Sequence, residues 1–567
     1  MTSNGSGRHP SRRQGGARRS GSRWNVPVSA LIAAMGLAWS VGAHSQACEA
    51  EAVRESVTVA YAEGESASRV TFTPSDDGTV HATEATNHRE LWKYQAREAA
   101  TATVEGSFMT DLRVLRFDAH RDGRVDISGG DRVWLYFGVR RAGTAYYAFD
   151  VTEPSVPRLL WHIGMDEVPG AGEAWSTPTI ARVRIAGETQ NGEHFVLIVG
   201  GGYDSRMNGT GNRLFMLDAA TGHVLWIAAG SGPAGTAAPA PDLSLGQMRY
   251  PIPARVAAVD TDGDAFADRL YAADLGGQVW RFDIWNGHGR STLVTGGVLA
   301  SLGNASATSG ASASDASMPA PLSTGPDARR FFSAPDVALI QRRNGDPYYN
   351  VAIGSGDVST LGKAAVTHDR FYAIRDRNAL APLSQSTYDS AAPILDADLV
   401  DITGAPANAR VPADAQGWKL DLRRATGGSS GERVLAESLT ANGVVLFTTF
   451  QPGASGCAAD GTGHLYAVKV DWAQPAFDLN DDGAITVDDL SMELTTGAIP
   501  GDLHIELTES ANEGGGGLEL PGGPPIEGND APQPEERTRC RAGNETLAHC
   551  VRLDGLLRTF WRRHSIN

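Results

Sequence analysis

The sequence has few aromatic residues, few charges and almost no helical periodicity. Aromatic residues make up 7% of the 567 positions and charged residues 20%, while 41% are hydrophobic. This balance excludes a disordered or fibrous chain, and the length exceeds that of one ordinary domain. Glycine is abundant, with 66 residues, and glycine permits tight turns. The composition therefore predicts short strands joined by tight turns rather than a helical protein.

Basic residues are outnumbered by acidic ones. The chain has 49 Lys and Arg against 66 Asp and Glu, which gives a formal net charge of -17. All basic residues among the first 47 are arginines, and no acid occurs there, so the rest of the chain is more acidic than the total. Such a surface repels phosphate backbones and anionic lipids, which argues against binding to nucleic acid or to a membrane surface. Carboxylates are also the ligands that hard cations prefer.

No stretch after residue 43 is long and apolar enough to span a membrane. The uncharged stretch 26–43 follows the arginines, and residues 45–47 offer a small-x-small cleavage site before Cys48. This pattern predicts a cleaved secretory signal over residues 1–47. An uncleaved anchor is the alternative, but the proline, glycine and serines of the stretch make a poor span. We expect an exported chain with no integral membrane span after cleavage, in which Cys48 is a weak candidate for lipidation.

The chain has only 4 cysteines. Cys540 and Cys550 enclose a polar loop, and their spacing fits neither a zinc site nor a redox Cys-x-x-Cys motif, so a disulfide is the simplest interpretation. That bond would stabilise the tail by about 3 kcal/mol on the loop-entropy account. A bond between Cys48 and Cys457 is a second possibility.

Apolar segments of strand length recur through the middle of the chain, separated by turns that contain Asp and Gly. Within them a sub-pattern repeats: an aromatic strand ends at an acidic turn, and a second strand closes on tryptophan. Such a hairpin cannot bury its apolar face alone. Repeats at spacings of tens of residues therefore predict four-stranded blades stacked as a β-propeller, an all-β fold. The three copies of the pattern are His81–Trp92, Tyr146–Trp161 and Leu214–Trp226.

The clearest candidate for a functional site in the sequence is an acidic loop between two predicted strands. Four carboxylates within nine residues repel one another unless a cation screens them. Oxygen ligands at positions 1, 3, 5 and 9, with a carbonyl at position 7, suit Ca²⁺ better than a solvated acidic turn, the alternative. Ala265 departs from the pattern, since such loops usually carry glycine there. The predicted ligands are Asp260, Asp262, Asp264, the carbonyl of Phe266, and Asp268.

A second acidic loop follows the twelve-residue EF-hand pattern closely. It has oxygens at positions 1, 3 and 5, Gly483 at position 6 and a carbonyl at position 7. The last position is Asp rather than Glu, which shortens its reach. An acidic helix N-cap is the alternative. The predicted ligands are Asp478, Asn480, Asp482, the carbonyl of Ala484, and Asp489.

A third acidic loop, Asp118–Asp126, has the same frame but contains His120, which is a poor calcium ligand, and two arginines. A plain turn is the favoured interpretation there.

Two short segments match enzyme motifs, but neither has the surroundings that its motif requires. The Gly427–Gly431 match to a nucleophile elbow lies in a polar loop rather than between a strand and a helix. The Gly230–Gly235 match to a dinucleotide fingerprint contains Pro233, which cannot open the required helix.

Several separate segments together resemble the C-terminal domain of the PilY family, the type IV pilus biogenesis factors and tip-associated adhesins. The resemblance runs in order from about Val70 to about Val470. It implies a modified seven-bladed β-propeller with a calcium loop at Asp260, Asp262, Asp264, Phe266 and Asp268, whose occupancy governs pilus extension and retraction. The segments include GDRVWLYFGVRRAGTAYYAFDVTEP, GEAWSTPTI, VLIVGGGYD, GNRLFMLDAATGHVLW, RYPIPARVAAVDTDGDAFADRLYAADLGGQVWRFDI and GERVLAESLTANGVVLFTTF.

The chain also departs from longer members of that family. Only about twenty residues are expected between Cys48 and the first strand, where those members carry a von Willebrand A-like region. No D-x-S-x-S motif and no Arg-Gly-Asp occurs, so the resemblance does not imply mechanosensing or integrin binding for this chain.

The composition also predicts the parts of the chain. Residues 512–537 are rich in Gly, Pro and Glu, which predicts a disordered segment. The predicted parts are a signal peptide (1–47), a short N-terminal segment (48–68), the propeller (69–475), an EF-hand-like calcium loop insertion (476–500), a low-complexity linker (501–537) and a disulfide-closed C-terminal segment (538–567).

The leading hypothesis is a non-enzymatic, exported calcium-binding propeller of the type IV pilus machinery. Its expected partners are minor pilins, with host or surface ligands as further candidates, and its expected location is the periplasm, the pilus tip or the outer cell surface. One alternative is a pyrroloquinoline-quinone-dependent dehydrogenase, which is also a calcium-dependent propeller, although the chain lacks the adjacent cysteine pair of those cofactor pockets. Another alternative is a stand-alone surface adhesin for glycans.

Overall fold

The structure is a computed structural model that describes residues 56–547 with internal gaps. The predicted signal, Cys48, Cys457, Cys550, His120 and the glycine-rich motif near residue 429 lie outside the described residues. The Gly-, Pro- and Glu-rich residues 512–537 also lie outside them. The gaps are 64–65, 103–108, 120–123, 142, 165–167, 169, 189–191, 206–208, 231–239, 304–324, 343–344, 362–366, 407, 423–430, 454–460, 496–498, 508–537 and 543–544.

The described residues form seven sheets that follow one another along the chain, which confirms an all-β fold. In the first three sheets, consecutive strands pair antiparallel, and a two-residue strand adds a parallel outer edge to the third. Sheet 1 contains β1 (Val57–Glu63), β2 (Ser66–Pro74), β3 (Thr79–Glu84) and β4 (Glu90–Gln95); sheet 2 contains β5 (Arg113–Phe117), β6 (Arg132–Gly138), β7 (Tyr146–Asp150) and β8 (Arg158–Ile163); sheet 3 contains β9 (Thr179–Arg184), β10 (Glu193–Gly200), β11 (Arg213–Asp218), β12 (Val224–Ala229) and β13 (Leu243–Ser244).

Sheets 4 and 5 are linked by a long connection that leaves sheet 5 and returns to it. The connection lends one short parallel strand to the outer edge of sheet 4 and another to that of sheet 5. Sheet 4 contains β14 (Ala257–Val259), β15 (Arg269–Ala273), β16 (Gln278–Ile284), β17 (Val294–Ser301) and β21 (Ile394–Leu395); sheet 5 contains β18 (Asp336–Ile340), β19 (Tyr348–Gly354), β20 (Arg370–Asp376), β22 (Val400–Asp401) and β23 (Gly417–Asp421).

The last two sheets are smaller, and the helices are short. Sheet 6 contains β24 (Leu439–Ala441), β25 (Val444–Gln451), β26 (Thr462–Lys469) and β27 (Ser491–Glu493); sheet 7 contains β28 (Leu503–Leu507), β29 (Thr538–Ala542) and β30 (Glu545–Thr546). The two described α-helices are α1 (Arg97–Thr101) and α2 (Gln385–Ser390), and 3-10 turns occur at Arg290–Thr292, Val358–Thr360, Asp396–Asp398 and Val487–Leu490.

The hydrophobic core lies between consecutive sheets. Strands such as β7, β15, β16 and β19 are buried at every position, because each of their faces packs against a neighbouring sheet. Separate apolar clusters join sheets 1 and 2, 2 and 3, 3 and 4, 4 and 5, 5 and 6, and 6 and 7. Sheets stacked face to face in chain order form a propeller-like fold.

The outer hairpins predicted from the tryptophan pattern are confirmed. Strands β3 and β4, β7 and β8, and β11 and β12 pair antiparallel across their acidic turns. The closing tryptophans also bind the next sheet: Trp92 Nε1 donates to the Pro154 carbonyl at 2.8 Å and Trp161 Nε1 to the Ala219 carbonyl at 3.0 Å. Trp418 does the same in sheet 5, donating to the Val470 carbonyl at 2.8 Å. These indoles therefore fix the spacing between neighbouring sheets.

We expect Trp161→Phe to lower the free energy of unfolding by about 2 kcal/mol. The substitution removes one of the two donors to the Ala219 carbonyl, which then keeps only the Tyr136 hydroxyl at 3.1 Å, and it leaves space where the indole packed. Urea denaturation followed by circular dichroism measures the effect. Trp472→Phe is the matched control, since Trp472 is 46% exposed, and it should change the value by less than about 0.5 kcal/mol. An equal effect of the two substitutions would contradict the proposed role of Trp161.

The sheets differ in two places from the predicted boundaries. Sheet 1 begins at Val57, inside the predicted short segment, so the expectation of about twenty residues before the first strand is wrong. Val59 and Tyr61 are buried but alternate with small or polar residues, and this alternation is a weak strand signal. Towards the other end, β27 and β28 lie in the predicted insertion and linker. The second acidic loop is therefore a connection within sheet 6.

Among the described residues, no helix has the length and apolar character needed to cross a membrane.

Candidate metal centre

The first acidic loop connects β14 to β15, the first two strands of sheet 4. Carboxylate oxygens of Asp260, Asp262 and Asp268 lie within 4.8 Å of one another, and among the described residues this is the one such group of acidic, cysteine or histidine side chains. Hard oxygen donors this close together fit a divalent cation such as Ca²⁺. The structure thus brings together three of the four predicted carboxylates.

Backbone N–H groups hold these carboxylates in place. Asp260 Oδ2 accepts from the Ala265 N–H at 2.9 Å, Asp262 Oδ1 from the Asp264 N–H at 3.1 Å, and Asp264 Oδ1 from the Phe266 N–H at 2.9 Å. Each aspartate therefore folds the chain back over itself, as Asx turns do. Asp260, Asp262 and Asp264 therefore each have a carboxylate oxygen bound to a backbone N–H group of the loop.

Asp268, the last predicted ligand, is partly buried, as is Asp260, whereas Asp262 is exposed. Its Oδ2 accepts from the N–H and hydroxyl of Thr261 at 2.7 and 2.8 Å. Burial raises the pKa of Asp268, and repulsion from Asp262 and Asp260 raises it further. A bound divalent cation would counter both effects, because it favours the ionised carboxylate.

Asp264 lies apart from the group of three carboxylates, and the side chain of Phe266 is buried beneath two arginines. The Asp264 Oδ2 atom lies 3.8 Å from Arg184 Nη1, and Asp264 does not join the group of three carboxylates. The Phe266 side chain is 2% exposed and lies under the guanidinium groups of Arg182 and Arg184, at 4.4 and 3.8 Å from the ring centroid.

Two neighbours of the loop were not identified from the sequence. The Arg182 carbonyl accepts from the Ala267 N–H at 2.8 Å, so the loop of sheet 4 is attached to β9 of sheet 3. Asn286 Nδ2 donates to the Ala267 carbonyl at 2.9 Å and approaches Asp268 Oδ1 at 3.4 Å. The Arg182 contact depends on how sheets 3 and 4 pack, and the Asn286 contacts depend on the turn after β16; the local sequence of the loop gives no signal for either.

The second acidic loop, between β26 and β27, has hydrogen bonds at the same positions as the first. Asp478 Oδ2 accepts from the sixth N–H, of Gly483, at 2.8 Å. Asn480 Oδ1 accepts from the fifth N–H, of Asp482, at 3.0 Å, and Asp482 Oδ1 from the seventh, of Ala484, at 2.9 Å. The two loops therefore share a fold although they belong to different sheets.

The twelfth position of the second loop is buried. Asp489 is 0% exposed, and its carboxylate accepts from the N–H groups of Leu479, Asn480 and Thr486 at 2.9, 3.2 and 2.7 Å. The hydrogen bond from Thr486 is the main reason why the pKa of Asp489 is lowered. The chain then forms a 3-10 turn, Val487–Leu490, capped by Thr486. Thr486 is therefore the N-cap of this turn, and Asp489 is the acidic partner in its capping box; calcium binding by the loop stays a prediction.

Both loops use left-handed backbone at positions 4 and 6. In the first loop these are Gly263, with φ 85°, and Ala265, with φ 69°; in the second they are Asp481, with φ 58°, and Gly483, with φ 88°. Each loop therefore has a glycine at one of the two positions. Ala265 carries the strain that a Cβ atom brings to this conformation.

Ala265→Gly is expected to raise the free energy of unfolding by about 1 kcal/mol in calcium-free buffer, because glycine removes the strain at the cost of some chain entropy. Chemical denaturation measures the difference. Ala267→Gly serves as the control in the same loop, since Ala267 is buried and is not among the residues with positive φ; it should destabilise the fold. Stabilisation by both substitutions, or by neither, would contradict this interpretation of the loop.

The third acidic loop, between β5 and β6, contains a turn in its described part. Asp126 Oδ1 accepts from the Ser128 hydroxyl at 2.6 Å and from the Gly129 N–H at 3.1 Å. Asp131 accepts from the N–H groups of Ala119 and Asp126, both at 2.9 Å.

A buried ionic network lies directly after the first loop. Asp283 Oδ1 accepts from Arg269 Nε at 2.7 Å, and Asp283 Oδ2 lies 3.0 Å from Arg281 Nη2. Arg281 Nη1 binds both oxygens of Asp376 at 2.8 and 2.9 Å, which joins sheet 4 to sheet 5. The four side chains are 1 to 2% exposed. The Tyr388 hydroxyl, on α2, donates to Asp283 Oδ2 at 2.6 Å, so the network also holds the connection that follows β20.

Comparison with known proteins relates part of this chain to the PilY1 beta-propeller domain. Residues 121–379 match the family described as the PilY1 beta-propeller domain, and the loop at 260–268 lies inside the match. The crystal structure of the Pseudomonas aeruginosa PilY1 C-terminal domain aligns with a TM-score of 0.53 at 18% identity, over 84% of this chain and 92% of that one. This likeness shows a shared fold.

Two curated relatives are similar in sequence. A type IV pilus biogenesis factor PilY1 homolog of Xylella fastidiosa (strain Temecula1) is 28% identical over 377 residues, 61% of this chain and 22% of the relative. The type IV pilus biogenesis factor PilY1 of Pseudomonas aeruginosa is 32% identical over 154 residues, 26% of this chain and 11% of the relative. The matched parts therefore span about a fifth and a tenth of those proteins.

Proposed function

From the premise that residues 121–379 are a PilY1-type β-propeller domain, we propose that the chain is an exported calcium-binding protein of type IV pilus assembly. It acts by binding rather than by catalysis, and it contacts the pilus machinery, with minor pilins as its partners. The sequence match to the PilY1 beta-propeller domain carries this proposal. The similarity to two proteins named as pilus biogenesis factors supports it.

Calcium is proposed to bind at the first loop, between Asp260, Asp262 and Asp268, and at the second loop through Asp478 and its neighbours. The donor chemistry supports this assignment, since both loops present several hard oxygens within a few residues. The cation supplies a positive charge that the carboxylates share. Asp262 would hold it from the exposed part of the loop, and Asp260 and Asp268 from the partly buried ends.

Binding of calcium would stabilise the loop in its folded conformation. A ligand that binds the ordered state shifts the equilibrium towards that state by RT ln(1 + [L]/Kd). Because the Ala267 N–H is bonded to the Arg182 carbonyl, ordering of the first loop also fixes it against sheet 3. We propose that the ordered first loop forms part of a surface that binds pilins. Calcium would thereby affect pilus extension, retraction and adhesion. One blade per sheet would give a seven-bladed propeller.

The proposed function is tested in the organism that encodes the chain. Deletion of the gene is expected to reduce surface pili and pilus-dependent motility, and complementation with the unmodified gene to restore them. Complementation with Asp260→Asn should restore them only in part, whereas Asp414→Asn, at an exposed carboxylate outside the acidic loops, should restore them fully. Normal piliation after deletion would overturn the proposal.

Binding to the pilus machinery has its own measurement. We expect the purified chain to retain minor pilins in millimolar calcium and to release most of them in chelator. Retention that is equal in both buffers would contradict a role for calcium in the contact, and no retention in either would contradict the partner.

A further inference from the structure

A buried arginine that has no ionic partner among the described residues lies on the face of the propeller opposite the acidic loops. The acidic loops join first to second strands, or third to fourth strands, of their sheets. Arg140 lies between β6 and β7, the second and third strands of sheet 2, and such turns occupy the other face of a propeller because neighbouring strands are antiparallel. Arg140 is 8% exposed, and its Nε atom is enclosed without a hydrogen-bond partner among the described residues.

The Arg140 guanidinium rests on an aromatic cluster. Its Cζ atom lies 4.2 Å from the centroid of the Trp175 ring. The Trp175 ring stacks on Tyr203, with centroids 4.4 Å apart, and Phe332 lies 5.9 Å from Trp175 and 6.0 Å from Tyr203. Trp175 and Tyr203 belong to connections of sheet 3, and Phe332 precedes the first strand of sheet 5. Connections from three sheets therefore meet around Arg140.

The backbone next to Arg140 brings a second cation to the same ring. Arg141 has φ 53°, a left-handed conformation that costs a residue with a Cβ atom about 1 kcal/mol or more. The resulting turn places the Arg141 Cζ atom 5.7 Å from the Trp175 centroid. Successive side chains of a strand would point to opposite faces, so the strained turn is what allows both guanidinium groups to approach one indole.

Burial of a cation without a counter-ion costs free energy, and the aromatic face compensates for part of that cost. The Trp175 Nε1 atom donates to Glu173 Oε2 at 2.8 Å, so Glu173 is engaged with the ring rather than with Arg140. The enclosed Nε atom is out of reach of solvent, so a carboxylate that approached from solvent would bind the outer guanidinium donors and supply the missing negative charge. We propose that Arg140, Trp175 and Tyr203 form a binding site for a carboxylate side chain of an acidic peptide segment.

A peptide is the favoured source of the carboxylate. Arg140 and Trp175 are both 8% exposed, so only a small part of the site is open, and a small free anion would gain one charge-assisted contact there. A polypeptide adds contacts along the partly exposed rings of Tyr203 and Phe332 and places its carboxylate with less loss of freedom. The chain is acidic overall, with a net charge of -17, so the buried Arg140 cation is a local exception that would select an acidic segment. The inference does not depend on the pilus role.

The test is fluorescence anisotropy with the full chain and a labelled octapeptide rich in Asp and Glu. We expect this peptide to bind and the matching peptide rich in Asn and Gln to bind at least about tenfold more weakly. Arg140→Gln should weaken binding of the acidic peptide by about 10- to 100-fold, since it removes the charge and the fork of donors. The affinity of Arg140→Lys for the acidic peptide should lie between that of the unmodified chain and that of Arg140→Gln, because a point charge cannot make a bidentate contact.

Arg410→Gln is the matched control. Arg410 also lies over a tryptophan, 4.5 Å from the Trp472 centroid, but it is exposed, and its substitution should leave peptide binding unchanged. Equal binding of the acidic and amide peptides, or equal loss in the Arg410 and Arg140 variants, would overturn the proposal. Competition by inorganic phosphate at the same concentration as the peptide would also overturn it. If circular dichroism shows that Arg140→Gln does not fold, the binding of the acidic peptide to Arg140→Lys is compared with that to the unmodified chain instead.

Discussion

Calorimetric titration of Asp260→Asn with calcium is expected to show about a hundredfold weaker binding at the first loop than in the unmodified chain. The affinity of an oxygen-ligand loop depends on the number of its charged ligands, and loss of even a supporting residue costs a metal site 10- to 100-fold. Asp260 is the residue to change, because it belongs to the group of three carboxylates and also accepts from the Gly263 and Ala265 N–H groups at 2.6 and 2.9 Å.

Two further variants separate metal binding from loop folding. Asp414→Asn, at an exposed carboxylate outside the acidic loops, should titrate like the unmodified chain. Asp478→Asn should remove the heat of calcium binding at the second loop and leave the heat of binding at the first loop unchanged. An Asp260→Asn titration that cannot be distinguished from that of the unmodified chain would contradict the assignment of the first loop.

Asp283→Asn is expected to lower the free energy of unfolding by about 3 to 5 kcal/mol. Asp283 is 1% exposed and lies between Arg269 and Arg281. Removal of its charge leaves two buried guanidinium groups with one remaining carboxylate, Asp376, and breaking a buried pair in this way is strongly destabilising. Chemical denaturation measures the change.

The control for the buried network is an exposed ion pair. Arg89 is 67% exposed and lies 3.3 Å from Glu84; Arg89→Gln should leave the denaturation curve unchanged, as solvent screens such pairs. We further expect Asp283→Asn to loosen α2, because Asp283 Oδ2 accepts from both the Tyr388 hydroxyl and the Leu383 N–H. Unaltered proteolysis around residue 385 together with an unaltered denaturation curve would contradict the role given to Asp283.

The sequence predicted the fold through its outer hairpins. Tryptophans at the ends of acidic-turn hairpins indicated repeated blades, and the indole contacts of Trp92 and Trp161 with the next sheet give the physical reason for that spacing. Sheet 1 was harder to recognise, because β1 alternates buried Val59 and Tyr61 with small or polar residues. Sheet 7 was missed because the Gly-, Pro- and Glu-rich residues 512–537 separate β28 from β29 in the sequence.

The sequence predicted the acidic loops but not their surroundings. Carboxylate spacing identified Asp260, Asp262 and Asp268, and local hydrogen bonds maintain that spacing in the structure. The contact of Asp264 with Arg184 and the covering of Phe266 by two arginines depend on the packing of sheet 3 against sheet 4. Contacts between residues about eighty positions apart leave no periodic signal in one sequence.

The central claim is that a calcium ion binds among the carboxylates of the first loop. The most direct measurement is a crystal structure of the chain grown in excess calcium, with the ion located by anomalous scattering. We predict a peak between Asp260, Asp262 and Asp268, with oxygen atoms at about 2.3 to 2.6 Å. A structure in which calcium is in excess but this position contains only water would contradict the claim.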